Sequence, residues 1–225
     1  MRRIAVIDLG TNTFHLLIVE RTEDAPFRVV FRKQVYAKLG IGGVEYIIPE
    51  SFERGLETLE AFQTAIAEYG AESVQAFGTA ALRTASNAPE FIEQALRRTG
   101  IPITLISGRE EARLIHRGVS WAVPIEDDEP VLIMDIGGGS VEFIIADKNG
   151  PLWYQSFMVG VAVLFRNFHH SNPITEDETE AVRSFLKQQL YPLLTALQQH
   201  PVRRLIGAAG AFDVVEGMTL PEIPT

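Results

Sequence analysis

Asp135, three consecutive glycines at 137–139, Ser140 and Glu142 all fall within one short stretch, IMDIGGGSVEFIIAD, residues 133–147. Glycine lets the backbone adopt φ > 0 and come close to a ligand, so successive N–H groups can converge on an anion. An ordinary hairpin turn needs only one or two glycines; a third weakens the strands with no structural return. The stretch therefore reads as a phosphate cradle. Glu142 lies across the turn, on the strand paired with that of Asp135. Two carboxylates over a bound phosphate suit a hard divalent cation such as Mg²⁺, which takes few carboxylates and completes its shell with phosphate oxygens and water. The competing reading of Glu142 is a surface strand residue. The dinucleotide fingerprint G-x-G-x-x-G is excluded: Glu142 stands where the third glycine belongs, and a β-branched, aromatic run follows where a helix should open.

A related stretch occurs near the start of the chain. Aligning Asp8 with Asp135 sets DLGTNTFHLLIVE against DIGGGSVEFIIAD. Thr11, Asn12 and Thr13 then replace the glycines, as simple turn formers or as a second set of phosphate contacts. His15 falls where Glu142 stands, more naturally a structural donor than a ligand. In SGREEARL, residues 107–114, Ser107 and Glu110 fit a capping box at a helix start. Glu111 is rotated by about 100° from Glu110, and the helix dipole favours its anion. A carboxylate kept ionised beside phosphate can activate water as a general base; a solvated first-turn glutamate is the plainer alternative. Arg83, in FGTAALRTA, offers a permanently charged fork to a phosphoryl oxygen, or a partner to a carboxylate. Gly207 and Gly210 form a G-x-x-G turn that tight-turn chemistry explains equally well.

These residues need a scaffold. Residues 2–10 and 14–20 read as a hairpin and 27–40 as a third strand. Phe52, Leu56, Leu59, Phe62, Ile66 and Tyr69 mark an amphipathic helix. A strand at 73–79 follows. Asn87 and Glu90 form a capping box for a helix ending near Gly100, then a strand covers 101–108 and a helix starts at Glu110. Residues 124–130, PIEDDEP, are the best linker. Beyond it come the glycine hairpin, a third strand at 152–160, and a helical region capped by Thr175 and Glu178 that Pro192 should interrupt. A last strand spans 203–210, and the tail TLPEIPT has no pattern. Each half thus runs strand, Asp-x-Gly turn, strand, strand, helix, as a duplication predicts.

Composition narrows the function. The chain has 225 residues, 29 acidic and 20 basic, for a net charge of −9. That disfavours nonspecific nucleic-acid and membrane-surface binding, which need a positive field. An anionic substrate must be held by local arginines, backbone N–H groups or a cation. No apolar run reaches the ~20 residues of a membrane span, and the start does not read as a secretory signal. Without cysteine there are no disulfides and no thiolate chemistry, and the cytoplasm is the expected compartment.

Together, IDLGTNTFHLLIVE, FGTAALRTA, LISGREEARLI, IMDIGGGSVEFIIAD and, more loosely, MVGVAVLF and GAAGAFD resemble the exopolyphosphatase and guanosine pentaphosphate phosphohydrolase family, in the family's order across residues 4 to 213. This family belongs to the sugar kinase, Hsp70 and actin superfamily. The resemblance implies an α/β fold of two duplicated ribonuclease H-like (actin-like ATPase) domains, 1–123 and 124–225, facing each other across a cleft. Members are longer, so the second domain is expected to be incomplete. Ala211 stands where many relatives have threonine.

By the same resemblance, Glu111 deprotonates the attacking water and Arg83 contacts the phosphoryl group. Asp135 and Glu142 hold Mg²⁺ or Mn²⁺. Asp8, Thr11, Asn12, Thr13, Gly137, Gly138, Gly139, Ser140 and Gly210 line the substrate. Inorganic polyphosphate or guanosine pentaphosphate is the implied substrate, and a homodimer is among the assemblies the resemblance allows. An ATP-dependent sugar or acetate kinase, and a phosphate-binding module without turnover, are the rival readings.

Overall fold

A computed structural model of the chain describes residues 2–22, 27–125 and 129–219. The middle of the 124–130 break and all but the first residue of the 219–225 tail lie outside the described residues. Two compact units divide the chain, Met1–Ser107 and Gly108–Thr225.

The first unit is a five-stranded sheet. Strands β1 (Arg3–Leu9) and β2 (Phe14–Glu20) form the expected hairpin, and β3 (Arg28–Val35) continues it antiparallel. Helix α1 (Pro49–Glu68) leads to β4 (Ser73–Gly78), parallel to β1; α2 (Ala80–Thr84) and α3 (Ala88–Thr99) lead to β5 (Ile103–Leu105). The strand order is β3-β2-β1-β4-β5. Period-two alternation turns Phe14, Leu16 and Ile18 inward, where they pack with Leu56, Leu59, Phe62 and Phe91 in one core. Glu20, on the same side of β2, is buried and held by Arg3 and Arg28.

Three expectations for this unit are corrected. The third strand ends at Val35 and the last is three residues long, because the ladder to β2 stops at Val35 and that to β4 covers only Ile103 to Leu105. Asn87 is not a cap. Its side-chain amide accepts from the Ile47 N–H and donates to the Ile47 carbonyl, each at 2.9 Å, so the group that could cap α3 is already engaged. Gly100 does close α3, in the left-handed conformation.

The second unit opens with α4 (Gly108–Ala122), followed by β6 (Val131–Ile136), β7 (Val141–Asp147) and β8 (Gly150–Phe157). Helices α5 (Val161–Phe168), α6 (Glu176–Gln189) and α7 (Tyr191–Gln199), strand β9 (Arg204–Ala208) and helix α8 (Ala211–Thr219) complete it. The capping box of Thr175 and Glu178 is present, and Pro192 stands in the first turn of α7 after the break at Leu190. The strand expected over 152–160 ends at Phe157, and α5 begins within the run that had no assignment.

The sheet order β8-β7-β6-β9 repeats β3-β2-β1-β4, with the same parallel and antiparallel pairings. Both sheets carry a register shift at the same offset from the aspartate, after Ile18 in one and Ile145 in the other. The two turns also share a closing bond: Gly10 N–H to Thr13 C=O and Gly137 N–H to Ser140 C=O, both at 3.0 Å. Duplication is therefore visible in backbone detail.

Helix α4 packs on β8, β7 and β6. Ala112 is fully buried against Val131, Ile133, Ile144 and Ala146 on one face of the sheet. On the opposite face Val141, Phe143 and Phe157 meet Leu193, Phe185 and Leu186 from the α6–α7 region. A boundary at 123 puts α4 in the first domain; in the structure its apolar stripe is buried on the second sheet.

Candidate active site

Strand alternation settles which face carries the carboxylates. Asp135 shares the face of Val131 and Ile133, and Glu142 that of Ile144 and Ala146; both lie on the side covered by α4. The two are directly opposed in the β6–β7 register, as expected from the seven-residue spacing. Residue Glu111 neighbours the buried Ala112 in the first turn of α4, so packing of that helix brings it to the same face.

Burial within a central strand sets the electrostatics. Glu142 is only 2% exposed. Its carboxyl is pushed up to about 7, first by burial and next by the charge of Glu111, with Asp135 adding a smaller push. Hydrogen bonds from Ser156 and Ser140 pull the other way, the Ser156 hydroxyl donating to Glu142 Oε1 at 2.6 Å. Asp135 is pushed up to about 6, again by burial first and Glu111 second. The charge of Glu111 thus opposes ionisation of both buried carboxyls, and that of Asp135 opposes ionisation of Glu142. Glu110 differs: its carboxylate grips Arg113 through two bonds, at 2.9 and 2.8 Å. Sequence spacing had separated Glu111 from Glu110, and the structure places the two in different environments.

The glycine turn is held from one side. The N–H groups of Gly160, Val161 and Ala162 donate to the carbonyls of Gly139, Gly137 and Gly138 at 3.1, 3.0 and 2.8 Å. These amides are trans, and a trans amide holds its C=O and N–H antiparallel. The N–H groups of Gly138, Gly139 and Ser140 therefore point away from α5. Gly137 is required sterically, because a Cβ there would lie 2.9 Å from the Ser140 carbonyl oxygen.

The first hairpin presents different chemistry. Asp8 and His15 are opposed in register, both reach solvent, and partial desolvation of the His15 ring together with the nearby Arg32 lowers its pKa. Thr11 is buried, and its hydroxyl accepts from the Ala81 N–H at the start of α2. That side chain thus serves the fold, whereas Asn12 is exposed and Thr13 half-buried. Arg83, in the last turn of α2, donates to the Ile106 carbonyl at 3.0 Å. Gly210 is exposed, following Ala209, which has a φ of 65°.

A divalent cation suits this chemistry. Asp135 and Glu142 are hard oxygen donors whose crowded negative charge a cation would compensate. Among the described residues no three His, Asp or Glu side chains are grouped to cage a metal alone; Mg²⁺ takes one or two carboxylates and completes its shell with phosphate and water. Ser156 went unnoticed in the sequence. Its only signal is the register of a third strand, which pairs it with Glu142.

Residues 17–220 match the model of the Ppx/GppA phosphatase family. An exopolyphosphatase from Cytophaga hutchinsonii is 41% identical, with a TM-score of 0.92, over 96% of this chain and 70% of its own. The Ppx-GppA enzyme of Aquifex aeolicus is 25% identical, with a TM-score of 0.76, over 96% and 71%. A PilM–PilN type IV pilus biogenesis complex, 10% identical at a TM-score of 0.59 over 96% of this chain and 84% of its own, shares the fold alone. The fold is thus the actin-like one, with its strand–hairpin unit duplicated.

Proposed function

The chain belongs to the Ppx/GppA phosphatase family, and we propose that it hydrolyses phosphoanhydrides, releasing the terminal phosphate of inorganic polyphosphate or the 5′ γ-phosphate of guanosine pentaphosphate. One observation carries this reading: the charge of Glu111 acts on both members of the register-opposed Asp135–Glu142 pair. A base, a cation-holding pair and a glycine turn thereby come from three consecutive elements of one unit.

The chemistry follows from those roles. Water attacks the terminal phosphorus while Glu111 accepts its proton, and the P–O bond to the shortened chain breaks as that oxygen leaves with the electron pair. The N–H groups of Gly138, Gly139 and Ser140 stabilise the negative charge on the transferred group. Mg²⁺ or Mn²⁺ held by Asp135 and Glu142 would supply electrostatic compensation for the phosphate oxygens. Ser156 and Ser140 fix the Glu142 carboxylate. Asp8, Thr11, Asn12, Thr13, Arg83 and Gly210 are proposed as further contacts to a polyanion, Thr11 through its backbone because its hydroxyl caps α2.

The test is phosphate release from polyphosphate, guanosine pentaphosphate and ATP with Mg²⁺ and no acceptor, for the wild-type chain and Glu111→Gln. Release without an acceptor is expected, with kcat lower by about 10²–10⁴ in the variant and substrate affinity nearly unchanged. A strict need for an acceptor alcohol or carboxylate overturns the hydrolase reading in favour of a kinase. Equal turnover by the variant removes Glu111 from the chemistry.

A further inference from the structure

A helix start leaves its first N–H groups without intrahelical partners. A Ser, Thr, Asp or Asn side chain satisfies them in most proteins, or a bound anion does. Helix α5 uses neither arrangement. Its N-cap is Gly160, with no side-chain cap, and its first three N–H groups bond the carbonyls of Gly139, Gly137 and Gly138. Gly160 has φ −65° and ψ 165°, a conformation open to any residue. What it lacks is space: a Cβ would lie 2.5 Å from Gly138 C and O and from Gly139 C. Glycine stands there so that helix and turn can touch.

We propose that the start of α5 is a clamp that aims the glycine turn, with Gly160 and Val161 as its positioning residues. The positive end of the α5 dipole polarises three amides through their carbonyls. Those amides present their N–H groups on the far side, so polarity passes through the turn to the ligand. The clamp is made of the chain's own backbone bonds, so the fold itself orients the donors.

The first unit repeats two of the three bonds. Lys38 and Gly40, just after β3, donate to the carbonyls of Asn12 and Thr11 at 2.8 and 3.0 Å. Aligned on the aspartates, Asn12 and Thr11 match Gly139 and Gly138, so Lys38 and Gly40 match Gly160 and Ala162. A loop does in one unit what a helix start does in the other. The brace therefore belongs to the duplicated plan. This inference rests on the turn being a phosphate cradle, as proposed above.

Val161 allows a clean test. It occupies the first helical position, where proline is favoured, and the extended Gly160 suits a residue preceding proline. Val161→Pro removes the N–H that holds Gly137 and sets a ring methylene where its hydrogen lay, pushing the Gly137 carbonyl off the helix start; Val161→Ala keeps the bond and trims a side chain that is 56% exposed. The backbone amides of the full chain are followed by NMR while inorganic tripolyphosphate is added with Mg²⁺, alongside KM and kcat for polyphosphate. In wild type and Val161→Ala the Gly138, Gly139 and Ser140 signals should move with equal Kd. In Val161→Pro, Kd and KM should rise about fivefold or more, at least the equivalent of one lost hydrogen bond. Gly160→Ala should displace the Gly138 and Gly139 signals even before ligand is added. Identical Kd for the Pro and Ala variants overturns the clamp, as does hydrolysis by wild type with unmoved turn amides. Amides that respond in a chain without hydrolysis leave the clamp standing and remove the hydrolase reading instead.

Discussion

At the scale of single residues, the carboxylate cluster makes stability depend on pH in an unusual direction. Asp135 rises from its ordinary 3.8 to about 6, and Glu142 from 4.5 to about 7, mainly by burial and then by the charge of Glu111. Their ionised forms are thus disfavoured in the folded state. The penalty is absent below pH 3.8, grows through the interval from there to about 7, and is complete above it. Without metal, this pair therefore makes the protein lose stability as pH climbs from 5 to 8. A pKa unit corresponds to about 1.4 kcal/mol, and one kcal/mol to about 2–4 °C in a chain of this size. Glu111→Gln removes one of the crowding charges, so in chelator-treated buffer at pH 8 it should raise the melting midpoint by ~3 °C while hydrolysis is lost. Near pH 4.5 the gain should disappear, because the partners are then largely protonated. A lower midpoint at pH 8, read by calorimetry, contradicts the crowding. The opposition of Asp135 and Glu142 was legible from their spacing, while the roles of the three carboxylates came from the family resemblance. Their mutual repulsion was not, since it depends on how α4 lies across β6 and β7.

At the scale of elements, hairpins and long helices were readable because their periods repeat over many residues. The shorter helices were not: α2 has five residues, α5 eight and α8 nine, too few turns for a stripe to show. Asn87 illustrates a second limit. Its spacing from Glu90 satisfies a capping rule, yet its amide is used to tie Ile47 from both sides. A cap needs only an acceptor, whereas this tie needs a donor as well. Asn87→Asp, harmless at a cap, should therefore cost about as much as Asn87→Ala, each about 1–3 kcal/mol in denaturant unfolding through a backbone group left unpaired. Retained stability in the aspartate variant alone would restore the capping role. Near the end of β9, Ala209 sits at φ 65°, where a Cβ costs about 1–2 kcal/mol. Ala209→Gly should relieve more than the ~0.4–1 kcal/mol that glycine adds to unfolded-chain freedom. A net gain of up to about 1 kcal/mol is expected, and a loss would show that the strain is absent.

At the scale of the whole molecule, duplication was legible as a faint sequence echo and became firm only in the backbone. Shared strand order, matching register shifts and the same turn closure do not depend on side-chain identity. Side chains have since diverged around that common frame. One hairpin opposes Asp8 to an exposed His15, and the other opposes Asp135 to a buried Glu142. The proposed chemistry falls in the half whose aspartate face is covered by a helix. The net charge of −9 adds a long-range repulsion for any polyphosphate. In the proposed site, attraction would come from short-range donors: turn amides, an arginine and a cation. Salt screens charges beyond about 10 Å at 0.1 M while affecting close contacts less. Raising NaCl from ~20 to ~150 mM at saturating Mg²⁺ should therefore leave kcat/KM for polyphosphate unchanged or raise it. An enzyme that draws its polyanion in through a broad basic surface behaves in the opposite way. A tenfold fall in kcat/KM over that range would mean that an extended positive field guides the substrate, and that the donors named above are only part of its path.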